Sequence, residues 1–307
     1  MYKNDDSTWK NVQNFLPINN RLTPNNIPDE YYYKVGNINL HIDQYKENNP
    51  KAIIILFHGV GGNGRLLSFI AVPLNQQGYE VICPDLPLYG YTEYDGTISY
   101  QEWVNCGTEL VRHYYKHNVP LFVFGLSAGG MLAYQVACKC SEINGIIATC
   151  LLDQRIPIVT QKTAISPLVA TLSRPFLKLL NKPLSRLKLP MKVVGNMKAI
   201  VNNRDLAKLL ISDNRSSGTK VPIAFIYSML NPQIEIEASQ FNKCPFLLVH
   251  PENDLWTDIS LSRLFFDKLN CEKELVILSG AGHFPIEPKG CKQLEIACIR
   301  FIEKYSK

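Results

Sequence analysis

Gly125-Leu126-Ser127-Ala128-Gly129 sets a serine between glycines, directly after the apolar run Leu121-Phe122-Val123-Phe124 and before a helix-like segment, Met131–Cys140. Strand, Gly-x-Ser-x-Gly and helix in that order describe a nucleophile held on a tight turn. Only glycines fit beside such a turn. The hydroxyl then stands clear of the backbone, and the helix N-terminus directs partial positive charge at the reacting atoms. A serine hydroxyl is a weak nucleophile until a base takes its proton, and the base needs an acid to fix its tautomer.

Two later apolar runs end in residues of those types. Pro245–His250 reads as a buried strand followed by Pro251-Glu252-Asn253-Asp254, and Glu274–Leu278 is followed by Gly280-Ala281-Gly282-His283-Phe284-Pro285. Acid and histidine thus follow the serine in chain order, each just past a strand. Two further loops have the same placement: His58-Gly59-Val60-Gly61-Gly62 after the Ala52–Phe57 run, and Pro84-Asp85-Leu86-Pro87-Leu88-Tyr89-Gly90 after Tyr79–Cys83.

With these motifs the sequence resembles the α/β-hydrolase superfamily, and within it the monoacylglycerol lipases, lysophospholipases and related serine hydrolases. The resemblance spans roughly residues 35–153 and 240–305. It implies Ser127 as nucleophile, His283 as base and Asp254 as acid, four residues beyond its strand. It implies oxyanion donors at the backbone N–H groups of Ala128 and Val60; the glycine-rich loop leaves Gly61 open as an alternative to Val60. His58, His250, His113 and His117 compete with His283, but only His283 sits in a Gly-rich loop after the last strand, and His58 is expected to brace the oxyanion loop. Glu252 and Asp258 compete with Asp254. Asp153 is expected to mark a strand end where an insertion begins, and Asp85 to cap its own loop.

The elements around these residues alternate. Strands are expected at Ala52–Phe57, Tyr79–Cys83, Leu121–Phe124, Gly145–Leu152, 245–250 and 274–278, with helices at Arg65–Gln77, Ser99–Lys116, Ser127–Cys140, Asp258–Lys268 and Lys292–Glu303. Ser99 and Glu102 have capping-box spacing. Tyr31–Tyr45, broken at Gly36-Asn37, reads as a hairpin. Apolar strands alternating with helices give an α/β fold, a mostly parallel sheet covered on both faces. Residues 1–30 read as an irregular extension with Trp9, Phe15 and Leu16 to anchor it. The core is expected over 31–153 and 241–307, with a cap inserted at 154–240, where Pro157, Pro167, Pro175, Pro183 and Pro190 cut the chain into short pieces.

Charge divides along the same lines. Gln154–Pro232 holds 13 Lys or Arg against Asp205 and Asp213 alone, a net +11, so the rest of this +5 chain carries −6. Arg174, Lys178, Lys182 and Arg186 recur every four residues beside Phe176, Leu177, Leu179, Leu180, Leu184 and Leu187, a pattern of helices at a lipid interface and equally of a solvated polar face. The basic cap therefore suggests peripheral contact with an anionic membrane surface. No recognition motif accompanies the charge, so nucleic acid is not an expected partner.

A serine rather than an aspartate at the nucleophile position argues against epoxide hydrolases and dehalogenases. No metal or cofactor motif is present, so none is expected. The nine cysteines have no framework spacing and read as reduced, buried small hydrophobes, which together with a start lacking a basic-then-apolar signal points to the cytoplasm. The expected activity is hydrolysis of a carboxylic ester, a lipid-like one by resemblance. Alternatives are a peptidase, which would need acidic cap residues to hold a substrate amine, an acyltransferase, and a silent ligand-binding fold.

Overall fold

The computed structural model describes residues 1–4, 8–166, 175, 177–180 and 183–306. Its main sheet is built from β1 (Asp29–Val35), β2 (Ile38–Tyr45), β3 (Ile53–Phe57), β4 (Glu80–Pro84), β5 (Glu93–Tyr94), β6 (Leu121–Gly125), β7 (Gly145–Ala148), β10 (Phe246–Pro251) and β11 (Lys273–Leu278), while β8 (Lys188–Pro190) and β9 (Lys220–Pro222) form a separate pair in the segment between β7 and β10. The order is β1-β2-β4-β3-β6-β7-β10-β11, with β5 beside β2. The β1–β2 hairpin is antiparallel and β2 meets β4 antiparallel; from β4 to β11 every pairing is parallel. This is the mostly parallel, helix-covered sheet that the alternation implied.

Period-two side-chain alternation sends each strand into two cores. Ile53, Ile55 and Phe57 pack with Trp103, Leu110 and Leu132 of the Tyr100–Tyr114 and Ala128–Lys139 helices. Ile54 and Leu56 pack on the opposite face with Phe69, Val72, Leu294 and Phe301 of the Ser68–Gln76 and Pro288–Tyr305 helices. Ser99 caps the Tyr100–Tyr114 helix, its Oγ accepting from Gln101 N–H at 3.2 Å while its own N–H donates to Glu102 at 2.7 Å. Because β3, β6, β10 and β11 run parallel, their C-terminal ends open on one edge, the edge where such sheets hold ligands.

The N-terminal segment is more ordered than its composition suggests. Helical turns at Tyr2–Asn4, Thr8–Val12, Gln13–Phe15 and Ile18–Asn20 lead into β1 at Asp29. Val12 is fully buried, and Tyr2, 1 % exposed, donates its hydroxyl to Asp85 at 3.0 Å. The rings of Tyr2 and Trp9 each lie 4.7 Å from the fully buried Arg65 guanidinium, which bonds Asp43 at 2.6 and 2.9 Å and Glu30 at 3.1 Å. Ligand atoms of Glu30, His41 and Asp43 converge as a metal site's would, but Arg65 already bonds two of them and supplies the positive charge.

The segment between β7 and β10 holds helices at Pro157–Thr163, Met191–Val194, Arg204–Ser212 and Ile223–Leu230, and β8 and β9 pair there as an antiparallel ribbon. Val159, Met191, Leu206, Phe225 and Ile226 are among the buried side chains of these helices. Arg155 joins its two ends, bonding Asp153 at 2.9 Å and Glu237 at 2.6 Å. Pro167, Arg174, Phe176 and Lys182 lie outside the described residues.

Candidate active site

Ser127 takes φ 55° and ψ −124° between β6 and the Ala128–Lys139 helix, a backbone state costing about 1–3 kcal/mol for a residue with a side chain. Ser127 N–H donating to Thr149 Oγ1 at 3.0 Å and Leu126 N–H donating to the Phe57 carbonyl at 2.9 Å hold it there. The flanking glycines are required sterically. A Cβ on Gly125 would fall 2.0 Å from the Gly129 carbonyl oxygen, and one on Gly129 would fall 2.3 Å from that of Phe57.

Three strand ends converge at the serine. Ser127 Oγ lies 2.7 Å from His283 Nε2, and His283 Nδ1 lies 2.8 Å from Asp254 Oδ2. With Nδ1 protonated and donating to the carboxylate, Nε2 is free to accept the serine proton. Asp254 Oδ1 accepts N–H bonds from Trp256 and Thr257, both at 2.8 Å, and Oδ2 accepts from Thr257 Oγ1 at 2.7 Å. Burial alone would raise this carboxyl. The charge of His283 and hydrogen bonds from His283 and Thr257 outweigh it and hold the pKa at about 2. All three side chains are nearly inaccessible, so this charge interacts through a medium that screens weakly.

The loop from His58 to Gly64 is fixed at both ends. His58 Nδ1 bonds the Gly59 carbonyl at 2.7 Å and Nε2 accepts from Leu86 N–H at 2.9 Å. Burial lowers His58 to about 4, so it stays neutral and braces the loop. At the other end, Gly64 N–H donates to Asp85 at 2.7 Å, and His41 Nδ1 and Tyr91 N–H contact the same carboxylate at 2.9 and 2.8 Å. Asp85 therefore ties the loop to the N-terminal segment through Tyr2. Gly59 approaches the elbow so closely that a Cβ would lie 2.7 Å from Ser127 Cβ. The Gly61 carbonyl accepts from Ser217 Oγ at 2.9 Å. Val60 and Ala128, not Gly61, line the larger cavity beside Ser127.

The other histidines and acids are engaged elsewhere. His250 bonds the Thr149 carbonyl at 3.1 Å, His113 stacks on Tyr33 with ring centroids 4.3 Å apart, and His117 bonds Asn118. Glu252 accepts from Gly280 N–H, Asp258 caps the Ile259–Phe266 helix through Ser260 N–H, and Asp153 is held by Arg155.

Two cavities flank Ser127. The larger, some 930 Å³ including its open mouth, lies between the sheet's edge and the β7–β10 segment and is lined by Met131, Leu152, Met191, Val194, Ile226 and Met229 among others. The smaller, about 360 Å³, lies on the His283 side, against Leu66, Ile200, Leu210 and Phe284. Tight-turn serine, buried imidazole, ionised carboxylate and a clamped glycine loop form an arrangement able to activate a hydroxyl and to stabilise an oxyanion. Sequence reasoning missed Thr257, Trp256 and Ser217; none has a motif of its own, and each acts through a contact distant in sequence or through a backbone group.

Fold and site together define an α/β-hydrolase. The chain belongs to the family described as serine aminopeptidase, S33, whose family model matches residues 48–287. No curated protein matches it in sequence. Among solved structures it is similar to a soluble variant of monoglyceride lipase from Saccharomyces cerevisiae in complex with a substrate analog, at 19 % identity and TM-score 0.76, over 95 % of this chain and 99 % of that one. It is also similar to a monoacylglycerol lipase from Paleococcus ferrophilus (21 %, TM-score 0.67, covering 87 % and 99 %) and to a carboxyl esterase from Bacillus coagulans (17 %, TM-score 0.69, covering 91 % and 99 %). At these identities the likeness speaks for the fold.

Proposed function

We propose that this hydrolase cleaves carboxylic esters with lipid-like acyl groups, of the monoacylglycerol or lysophospholipid type, through Ser127, His283 and Asp254. The observation that carries the reading is the apolar cavity opening on Ser127. Its described lining holds no carboxylate to receive a substrate amine, and methionine, leucine, valine and isoleucine side chains dominate it, as an alkyl chain needs. This favours an ester over the aminoacyl substrate that the family's description mentions.

Ser127 Oγ attacks the ester carbonyl carbon as its proton passes to His283 Nε2. The carbonyl oxygen becomes an oxyanion facing the N–H groups of Val60 and Ala128, and Asp254 stabilises the imidazolium. Collapse of the tetrahedral intermediate breaks the bond to the leaving alcohol, which takes the proton from His283. Water, activated by the same imidazole, then releases the carboxylic acid from Ser127.

The cap's outer face supports presentation from an anionic lipid surface. No acidic residue occurs between Asp153 and Asp205, and Leu179, Leu184, Leu187 and Val193 stand exposed among Lys178, Arg186, Lys188 and Lys192. Exposed leucines insert at the headgroup boundary while lysines meet anionic lipid. Among the described residues no helix is long and apolar enough to cross a membrane.

The test is turnover of monoacylglycerols and of p-nitrophenyl esters from butyrate to dodecanoate, beside aminoacyl p-nitroanilides. Esters are expected to dominate, with kcat/KM rising beyond butyrate. Faster cleavage of the anilides would overturn the reading.

A further inference from the structure

Trp256 stands where the acid loop, the base and the cap meet. Its backbone N–H donates to Asp254 at 2.8 Å, and its indole ring faces the His283 imidazole at a centroid distance of 4.9 Å and a 49° tilt. Its Nε1–H donates to the carbonyl of Thr163 at 3.1 Å, at the end of the first cap helix. The indole edge also packs on Gly195, where an added Cβ would lie 3.3 Å from Cζ2. Gly195 bridges Ala164, so the indole touches both cap segments on this side. Trp256, Thr163, Ala164 and Gly195 all line the larger cavity.

We propose that Trp256 is a specificity and positioning residue, coupling the seating of the cap and of an acyl chain beneath it to the alignment of His283. The inference rests on the ester-hydrolase reading above. Three physical consequences follow from the one side chain. Lifting the cap helix would strip the indole N–H of the Thr163 carbonyl, so the closed cap is favoured when that bond is made. An acyl chain in the cavity presses on the same indole, which also faces the imidazole. Imidazolium forms during turnover, and an aromatic face within reach of its ring favours the cation over the neutral form. Substrate seating is therefore felt at the base.

Two variants separate these roles. Trp256→Phe keeps an aromatic face but has no N–H, and Trp256→Leu removes the ring as well. With p-nitrophenyl esters, Trp256→Phe is expected to lower kcat/KM by about 2- to 10-fold more for decanoate than for butyrate, the worth of one hydrogen bond to the cap. Trp256→Leu is expected to lower kcat by roughly 3- to 30-fold for both esters, as lost stabilisation of the imidazolium, and to move the preferred acyl length upward as the cavity widens. A uniform fall in kcat/KM at every chain length in both variants, tracking a lower melting temperature, would reduce Trp256 to a packing residue and overturn the proposal. Unchanged kinetics would overturn it as well. A native chain that turns over no ester and forms no phosphonate adduct would instead remove the hydrolase reading on which the proposal stands.

Discussion

His41 is fully buried, with Asp85 2.9 Å from Nδ1 and Glu30 3.5 Å from Nε2; Asp43 acts on it by charge, and the rings of Tyr2, Tyr32 and Tyr91 lie 5.3, 5.6 and 5.6 Å away. Burial pulls its pKa down, but the charge of Asp85 and hydrogen bonds to Asp85 and Glu30 prevail and raise it to about 9 from 6.5. A raised folded-state pKa gives stability that is full below 6.5 and is lost as pH climbs toward 9. Each pH unit inside that window is worth at most about 1.4 kcal/mol, and the loss between pH 6.5 and 8.5 comes to about 2 kcal/mol. Two neighbours titrate mainly at the edges of this window. Asp43, raised to about 6, acts at lower pH, and the buried Cys83 thiol, raised above an ordinary 9.0, acts at higher pH. Guanidinium unfolding at pH 6.5, 7.5 and 8.5 measures the slope. His58, His250 and the buried cysteines act alike in both chains, so the native chain should lose about 2 kcal/mol more over that range than His41→Gln, which should be the less stable of the two at pH 6.5. A variant with the native slope would refute the charged His41–Asp85 pair.

Asp254→Asn removes the charge that fixes the imidazole, and kcat for an ester should fall about 10³- to 10⁴-fold with the melting temperature nearly kept, read by steady-state kinetics beside a thermal melt. Gly59→Ala drives a Cβ to within 2.7 Å of Ser127 Cβ and displaces the loop carrying the Val60 N–H, so kcat should drop on the order of 10²- to 10³-fold while KM holds. Lys188→Ala with Lys192→Ala should weaken binding to phosphatidylserine vesicles about 10- to 30-fold in cosedimentation and leave binding to neutral vesicles unaltered.

The parallel core was legible because strands buried on both faces must be continuous apolar runs, and β3, β6 and β10 each follow that rule. The elbow was legible because its glycines are a steric demand on the backbone. Ser127, Asp254 and His283 stand out in sequence because each follows such a run, and parallel strands bring those ends to one edge. Tyr2 was not legible: its role lies in one hydroxyl reaching Asp85, 83 residues away, and a lone tyrosine in an Asn-rich stretch has no pattern to announce it. The segment between β7 and β10 stood out in sequence by its charge, but its elements did not. Its apolar residues divide between core, cavity and surface, so no period emerges, and the β8–β9 ribbon has three residues a side. Trp256 is hidden likewise, since its contacts to Thr163 and His283 belong to tertiary structure.

The central claim is that Ser127 is an activated nucleophile. Intact-mass detection of a fluorophosphonate adduct, on the native chain and on Ser127→Ala, tests it most directly. One adduct per native chain and none on the variant is the expected result. A folded native chain that stays unlabelled, with and without mild detergent to loosen the cap, or a variant that labels equally, would contradict it.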